Sequence, residues 1–176
     1  LGATVTNMAA GEIFQALQSG TLDAAEFVGP YNDLALGFHQ VAKNYYMPSF
    51  VESGLATELV VDKKKYQELP EDLQAIIRDV SQAEYDQVAA DFYANDPRAL
   101  KTLVEEHGVT VRNFPDDIME AGAKASVEVV EELRSSDDPL VKKTADSFVE
   151  ALNLVRTRTE KIDSPYIQAR QSFLKY

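Results

Sequence analysis

The chain has 176 residues, 45% of them hydrophobic and 26% charged, with a formal net charge of −12, a composition ordinary for a folded globular protein apart from its acidity. That acidity argues against a nucleic-acid surface, which needs clustered Lys and Arg to neutralise phosphates, and against docking on anionic lipid. With no cysteine, disulfides, thiolate nucleophiles and cysteine metal sites are excluded, and no apolar run approaches the roughly 20 residues of a membrane span.

The first stretch, "GATVTNM", is rich in β-branched residues and predicts a short strand. "AAGEIFQALQSG" predicts a helix with Ile13, Phe14 and Leu17 on one face and Gly20 as its stop. "LDAAEFV" reads as a second short strand. "GPYNDLALGFHQVAK" reads as one helix, with Pro30 in its first turn and Leu34, Phe38 and Val41 at helical spacing. "NYYMPSF" and "LATELVV" predict two more strands joined by "VESG", and Tyr45 and Tyr46 alternate, one facing the core and the other an edge or cleft.

"DKKK" at 62–65 reads as a solvated turn. The next helix takes Pro70 as its first position, with Glu71 and Asp72 where the dipole favours negative charge, and Leu73, Ile76, Ile77, Val80 and Ala83 as its buried stripe. It runs to about Ala94, and "NDPRALKTLVEEHG" gives a separate helix. "VTVRNF" is a strand, and Pro115-Asp116-Asp117 starts a helix with the stripe Ile118, Gly122, Ala125, Val129 and Leu133. "SSDDP" breaks the pattern before a helix over 140–161 with Phe148, Leu152 and Val155 in its apolar stripe. Ser164-Pro165 is expected to end that helix, leaving Tyr166, Ile167, Phe173 and Leu174 of the tail in need of cover. The class is α/β and helix-rich.

A search for catalytic machinery returns nothing. There is no G-x-S-x-G elbow, no G-x-G-x-x-G and no phosphate-binding G-x-x-x-x-G-K-[ST], so the chain is expected not to be an enzyme. His39 and His107 lack ligand-spaced partners and read as structural, His107 at a helix end before Gly108. Asp116-Asp117 and Asp137-Asp138 read as helix-start residues. Glu26 stands out, a single carboxylate between Ala24, Ala25, Phe27 and Val28. If those neighbours lie in a core, Glu26 must pair with an Arg, bind a metal, or be protonated, because an unpaired buried charge is too costly.

The run from "LGATVTNMAAGEIFQALQSG" through "TLDAAEFVGPYNDLALGFHQVAKNYYMPSF" resembles the substrate-binding proteins of TRAP transporters (tripartite ATP-independent periplasmic transporters), in the branch that binds 2-oxo acids and related small carboxylates. "LVVDKKKYQELPEDLQAII" and "VRNFPDDIMEAGAKAS" fit later segments of that family, so the resemblance covers nearly the whole chain. It implies a periplasmic-binding-protein-like lobe (type II-like). Residues 1–135 would be the second-lobe α/β region and 136–176 a C-terminal helix and tail, a candidate hinge-crossing or dimerisation element. Family members are longer and carry an "R-x-P-G" segment, with a carboxylate-gripping arginine, before the point where this chain begins. The chain is therefore expected to be the C-terminal part of such a protein, with the first lobe largely missing.

The resemblance further implies a periplasmic protein that captures a 2-oxo or 2-hydroxy acid with a sodium or calcium ion and hands it to a membrane permease. Glu26 maps to the glutamate that helps hold the metal, Phe27 to the aromatic residue that lines the pocket and offers its carbonyl, and Glu52 to a second glutamate. All three are expected at the substrate and the metal. Phe27 and Phe50 stand where the family has Trp, Val51 where it has His and Ser53 where it has Pro; the lost indole N–H bears on ligand identity. Homodimers that exchange a C-terminal helix occur in this branch. The competing reading is a helix-rich protein-interaction domain in which Glu26 forms a structural salt bridge.

Overall fold

Helix α1 (Ala10–Ser19) stops where expected: Gly20 takes the left-handed region at φ 73°, and its N–H donates back to the carbonyls of Ala16 and Leu17. In the computed structural model, which describes residues 2–51, 54 and 57–174, the chain divides into two units, Leu1–Pro115 and Asp116–Tyr176.

In the first unit α2 (Pro30–Ala35) is followed by a 3-10 turn (Phe38–Gln40), strand β1 (Asn44–Tyr46), α3 (Lys63–Gln67), α4 (Glu71–Glu105) and strand β2 (Thr110–Arg112). The predicted single helix after Gly29 is two pieces. Gly37 adopts φ 74°, a region only glycine enters freely, and a Cβ there would sit 2.9 Å from Gln40 Nε2. β1 and β2 pair in parallel, with Asn44 opposite Thr110, Tyr45 opposite Val111 and Tyr46 opposite Arg112. This α/β ladder is the one sheet among the described residues.

Three strand expectations therefore fail in their described parts. Residues 2–8, 22–28 and 57–61 form no strand, and residues 55 and 56 of the third lie outside the described residues. β-branched residues favour an extended backbone, but a strand exists only where a neighbour supplies the other half of the ladder. "DKKK" also differs from expectation. Asp62 Oδ1 accepts from the Lys65 N–H at 2.8 Å, so Asp62 caps α3 and the lysines form its helix.

α4 is a single helix of 35 residues, about 50 Å long, with Pro97 inside it and Pro70 as its cap. A proline interrupts the ladder at one donor and predicts a break. Tertiary anchors beyond it hold the helix together: Ala99 and Leu103 are buried, and Leu103 is 2% exposed. The core of this unit comprises Ile13, Ala16, Phe38, Ala99, Leu103 and Val109. The predicted stripe at the other end of α4 differs, since Leu73, Ile76, Val80 and Ala83 are exposed and only Ile77 is half-buried. The periodicity identified the helix and its apolar side, but nothing among the described residues covers it.

The second unit is α5 (Asp116–Arg134), α6 (Pro139–Arg158), a π turn (Thr159–Asp163) and α7 (Ser164–Phe173). Asp116 and Asp117 lie in the first turn of α5, and Asp138 caps α6 by accepting from the Leu140 N–H at 2.8 Å, as expected. α5 and α6 pack against each other, with Arg134 Nε donating to Asp146 Oδ1 at 2.8 Å, and Gly122 and Ala145 are the buried residues of the two helices. Ile118, Val129 and Leu133 of the predicted stripe stay exposed. Pro165 does not end the helical run. The π turn opens the backbone ladder just before it, so its ring falls in the first turn of α7, where no donor is needed.

Candidate functional site

The segment carrying Glu26 and Phe27 is irregular backbone leading into the Gly29-Pro30 corner, where α2 begins. Glu26 is exposed, and so are Ala24, Ala25 and Val28. The apolar run is thus a surface segment and not a core strand, and the premise that Glu26 is buried among its neighbours is corrected. Small residues such as Ala carry too little area to force burial. Phe27 is half-buried, its ring edge-on to buried Phe38 with centroids 5.4 Å apart. Glu52 and Ser53 lie outside the described residues.

Behind this segment sits a set of polar contacts that the sequence did not point out. Asp33, 7% exposed, is the one buried charged side chain among the described residues. The Tyr45 hydroxyl donates to Asp33 Oδ2 at 2.5 Å, and Asp33 Oδ1 is buried without a hydrogen-bond partner. Burial pushes the Asp33 carboxyl above its ordinary range; the Tyr45 hydrogen bond opposes this, while the negative charges of Asp96 and Glu26 add to it. Burial, together with the bond to Asp33, likewise raises the Tyr45 phenol. Asp96, from α4, accepts from the Tyr31 N–H at 3.0 Å, and the Tyr31 and Phe92 rings meet edge-on at 6.0 Å. As expected from the alternation, Tyr45 faces inward and Tyr46 is exposed, tilted against Phe114; Phe50 packs edge-on to the same ring.

Glu26, Asp33 and Asp96 therefore give this region a negative potential. All its donors are oxygens, the chemistry of a hard cation such as calcium or sodium. Among the described residues no group of three His, Cys, Asp or Glu side chains could hold a metal ion. A cation at Glu26 would draw its remaining oxygens from backbone carbonyls or from a bound carboxylate. An open groove lined by Thr57, Leu59, Arg78, Gln82 and Tyr85 runs along α4 and includes none of these residues.

His39 and His107, unrelated in sequence spacing, stack with ring centroids 3.9 Å apart and planes at 24°. Lys43 Nζ donates to the His107 carbonyl at 2.9 Å, and His39 Nδ1 is buried without a partner. Burial, and then the neighbouring His107 and Lys43, hold His39 below its ordinary value, so folding favours the neutral ring. The associated stability is fully present above about pH 6.5, the unfolded value, and is lost as pH falls toward the lower folded one. Urea midpoints are expected to drop from about pH 7.5 to about pH 5.5, with the drop smaller in His39→Phe. An identical drop in both proteins would rule out His39 as the source.

The family described as DctP, bacterial extracellular solute-binding protein, family 7, matches residues 1–137. A monocarboxylate 2-oxoacid-binding periplasmic protein of Nostoc sp. is 33% identical over 137 residues, which are 78% of this chain and 37% of that protein. A TRAP periplasmic solute binding protein of Colwellia psychrerythraea, solved with bound calcium and pyruvate, superposes with a TM-score of 0.83 at 33% identity, over 96% of this chain and 51% of that one. A second, from Pseudoalteromonas atlantica with bound sodium and pyruvate, gives 0.80 at 30% identity, over 95% and 50%. The chain thus spans about half the length of these structures, or less than half in the Nostoc relative, and its helix-rich α/β lobe has their fold. The family is one of solute-binding transport proteins and not of enzymes, in agreement with the empty search for catalytic motifs. Residues 1–137 take in Glu26, Phe27 and the Asp33–Tyr45 pair, and on that match the chain belongs to the bacterial extracellular solute-binding proteins of family 7.

Proposed function

We propose that the natural protein carrying this chain is the periplasmic solute-binding component of a TRAP transporter. It captures a small 2-oxo or 2-hydroxy acid together with a calcium or sodium ion and delivers it to membrane permease subunits. Residues 1–135 act as the second lobe, closing against a first lobe around the ligand. The observation that carries this reading is the surface segment with Glu26 and Phe27, held on a buried corner and backed by carboxylates, inside the family-matched region. Glu26 offers its carboxylate, Phe27 its ring and backbone carbonyl, and Glu52 a further carboxylate to the ion and the substrate. The bound ion supplies positive charge that screens the substrate carboxylate from this acidic surface. The pyruvate, calcium and sodium of similar structures, and the 2-oxoacid binding of the Nostoc relative, support that choice of ligand.

Calorimetry of the natural protein with pyruvate tests it. Binding is expected with calcium present and is expected to weaken after chelation. Equal affinity with and without any metal ion would remove the ion from the site, and no binding of any small 2-oxo acid would remove the substrate class.

The same protein is proposed to form a homodimer through residues 136–176. The predicted stripe on α6 is exposed at Phe148, Leu152 and Val155, and α7 and the residue after it expose Tyr166, Ile167, Phe173 and Leu174. Exchange of an identical element between two copies would cover this apolar surface. Light scattering is expected to give a dimer mass that falls to a monomer when residues 164–176 are deleted. A monomer at every concentration, unchanged by that deletion, would leave the helix packing at home.

A further inference from the structure

We propose that Asp33, Tyr45 and Asp96 form a strut that positions Glu26 and Phe27, so that ligand affinity depends on side chains that never touch the ligand. The strut converges on the Gly29-Pro30 corner from two other elements. From β1, the Tyr45 hydroxyl reaches Asp33, whose own N–H donates to the Gly29 carbonyl at 2.9 Å. From α4, Asp96 lies against Gly29, where a Cβ would meet its Oδ1 at 3.5 Å, and it accepts from the Tyr31 N–H. Gly29 has no side chain with which to cap α2, and Asp96 supplies that cap from another helix.

Glu26 and Phe27 precede this corner by two to three residues and lie in no helix or strand of their own. The corner and the Phe27 contact with Phe38 therefore help to set their backbone. Asp33 Oδ1 finds no partner, so the Tyr45 hydroxyl is the side-chain donor that keeps this buried carboxylate in place. A site that binds an ion and a small acid tolerates little displacement of its contacts, which makes the supporting bonds matter for affinity.

The proposal rests on the reading that Glu26 and Phe27 contact the ligand, and two readouts separate the failure of one from the failure of the other. The first is calorimetry with pyruvate and calcium, well below the melting temperature. Tyr45→Phe and Asp96→Ala are each expected to weaken binding about tenfold, while Asp33→Asn, which keeps an acceptor for the Tyr45 hydroxyl, stays closer to the parent than Asp33→Ala does. The second readout needs no ligand. These 176 residues hold no Trp, so Phe27→Trp introduces the first indole among them, and its acrylamide quenching, taken as the difference from the parent protein, reports the order of this segment. Adding Tyr45→Phe or Asp96→Ala to that background is expected to raise the quenching rate about twofold as the segment loosens.

Melting temperatures that fall while quenching and affinity stay unchanged would overturn the strut, because the bonds would then only stabilise the fold. If the parent protein bound no 2-oxo acid, the ligand reading would fail and the quenching series alone would decide the strut. Should Tyr45→Phe fail to fold, Asp96→Ala, at a half-buried position, carries the same test.

Discussion

Replacing Glu26 with Gln is expected to raise the dissociation constant of the natural protein for pyruvate in the presence of calcium about a hundredfold. The amide keeps the size of the side chain and one acceptor oxygen but removes the charge proposed to face the ion. Because Glu26 is exposed, the melting temperature without ligand is expected to stay near that of the parent. Affinity and stability are thereby separated in one variant. The substitution also removes one of the negative charges that raise the Asp33 carboxyl, so that group is expected to move back toward the ordinary range. Calorimetry and a thermal melt decide the matter. Unchanged affinity would take Glu26 out of the site, whereas a large loss of melting temperature would mean its role is structural.

Leu103→Ala is expected to cost about 3 kcal/mol of folding stability, read from urea unfolding. Leu103 is the most buried large side chain among the described residues, at 2% exposed. It sits in the last turns of α4, where its carbonyl accepts from the Val109 N–H at 2.9 Å across the turn through Gly108, at φ 67°. Val109, itself buried, leads directly into β2. Truncating Leu103 opens a cavity at the joint between the long helix and the ladder, and surroundings tied by that turn have little freedom to collapse into it. A loss under about 1 kcal/mol would be the size of an ordinary substitution and would contradict this account of the core. The slope of the unfolding curve should be unchanged, since the surface exposed on unfolding hardly differs.

Several features of this chain were legible in its sequence because their causes are local. Gly20 ends α1 and Asp138 starts α6 through backbone and capping interactions a few residues apart, and Asp116-Asp117 fall in the first turn of α5. The alternation of Tyr45 and Tyr46 needs only the two-residue period of a strand. Family membership was legible for a different reason, since a run of this length and specificity at residues 1–48 survives a replacement such as Phe27. Other features depend on contacts far apart in the chain. A β-branched stretch becomes a strand only with a partner, which residues 44–46 find in 110–112 and residues 2–8 and 22–28 do not. Pro97 predicts a break, yet α4 continues because Ala99 and Leu103 beyond it are anchored in the core. Glu26 read as a buried charge from its neighbours, but burial is a property of the surface that packs against a segment, and Ala24, Ala25 and Val28 meet none. The stacked His39 and His107, the Tyr45–Asp33 bond and the reach of Asp96 to Tyr31 span sequence separations that no local period encodes. The sequence by itself determined the helices, their ends and the family; the tertiary structure decided which side chains meet, because hydrogen bonds and ring contacts form between groups that folding brings within a few ångströms, whatever their distance along the chain.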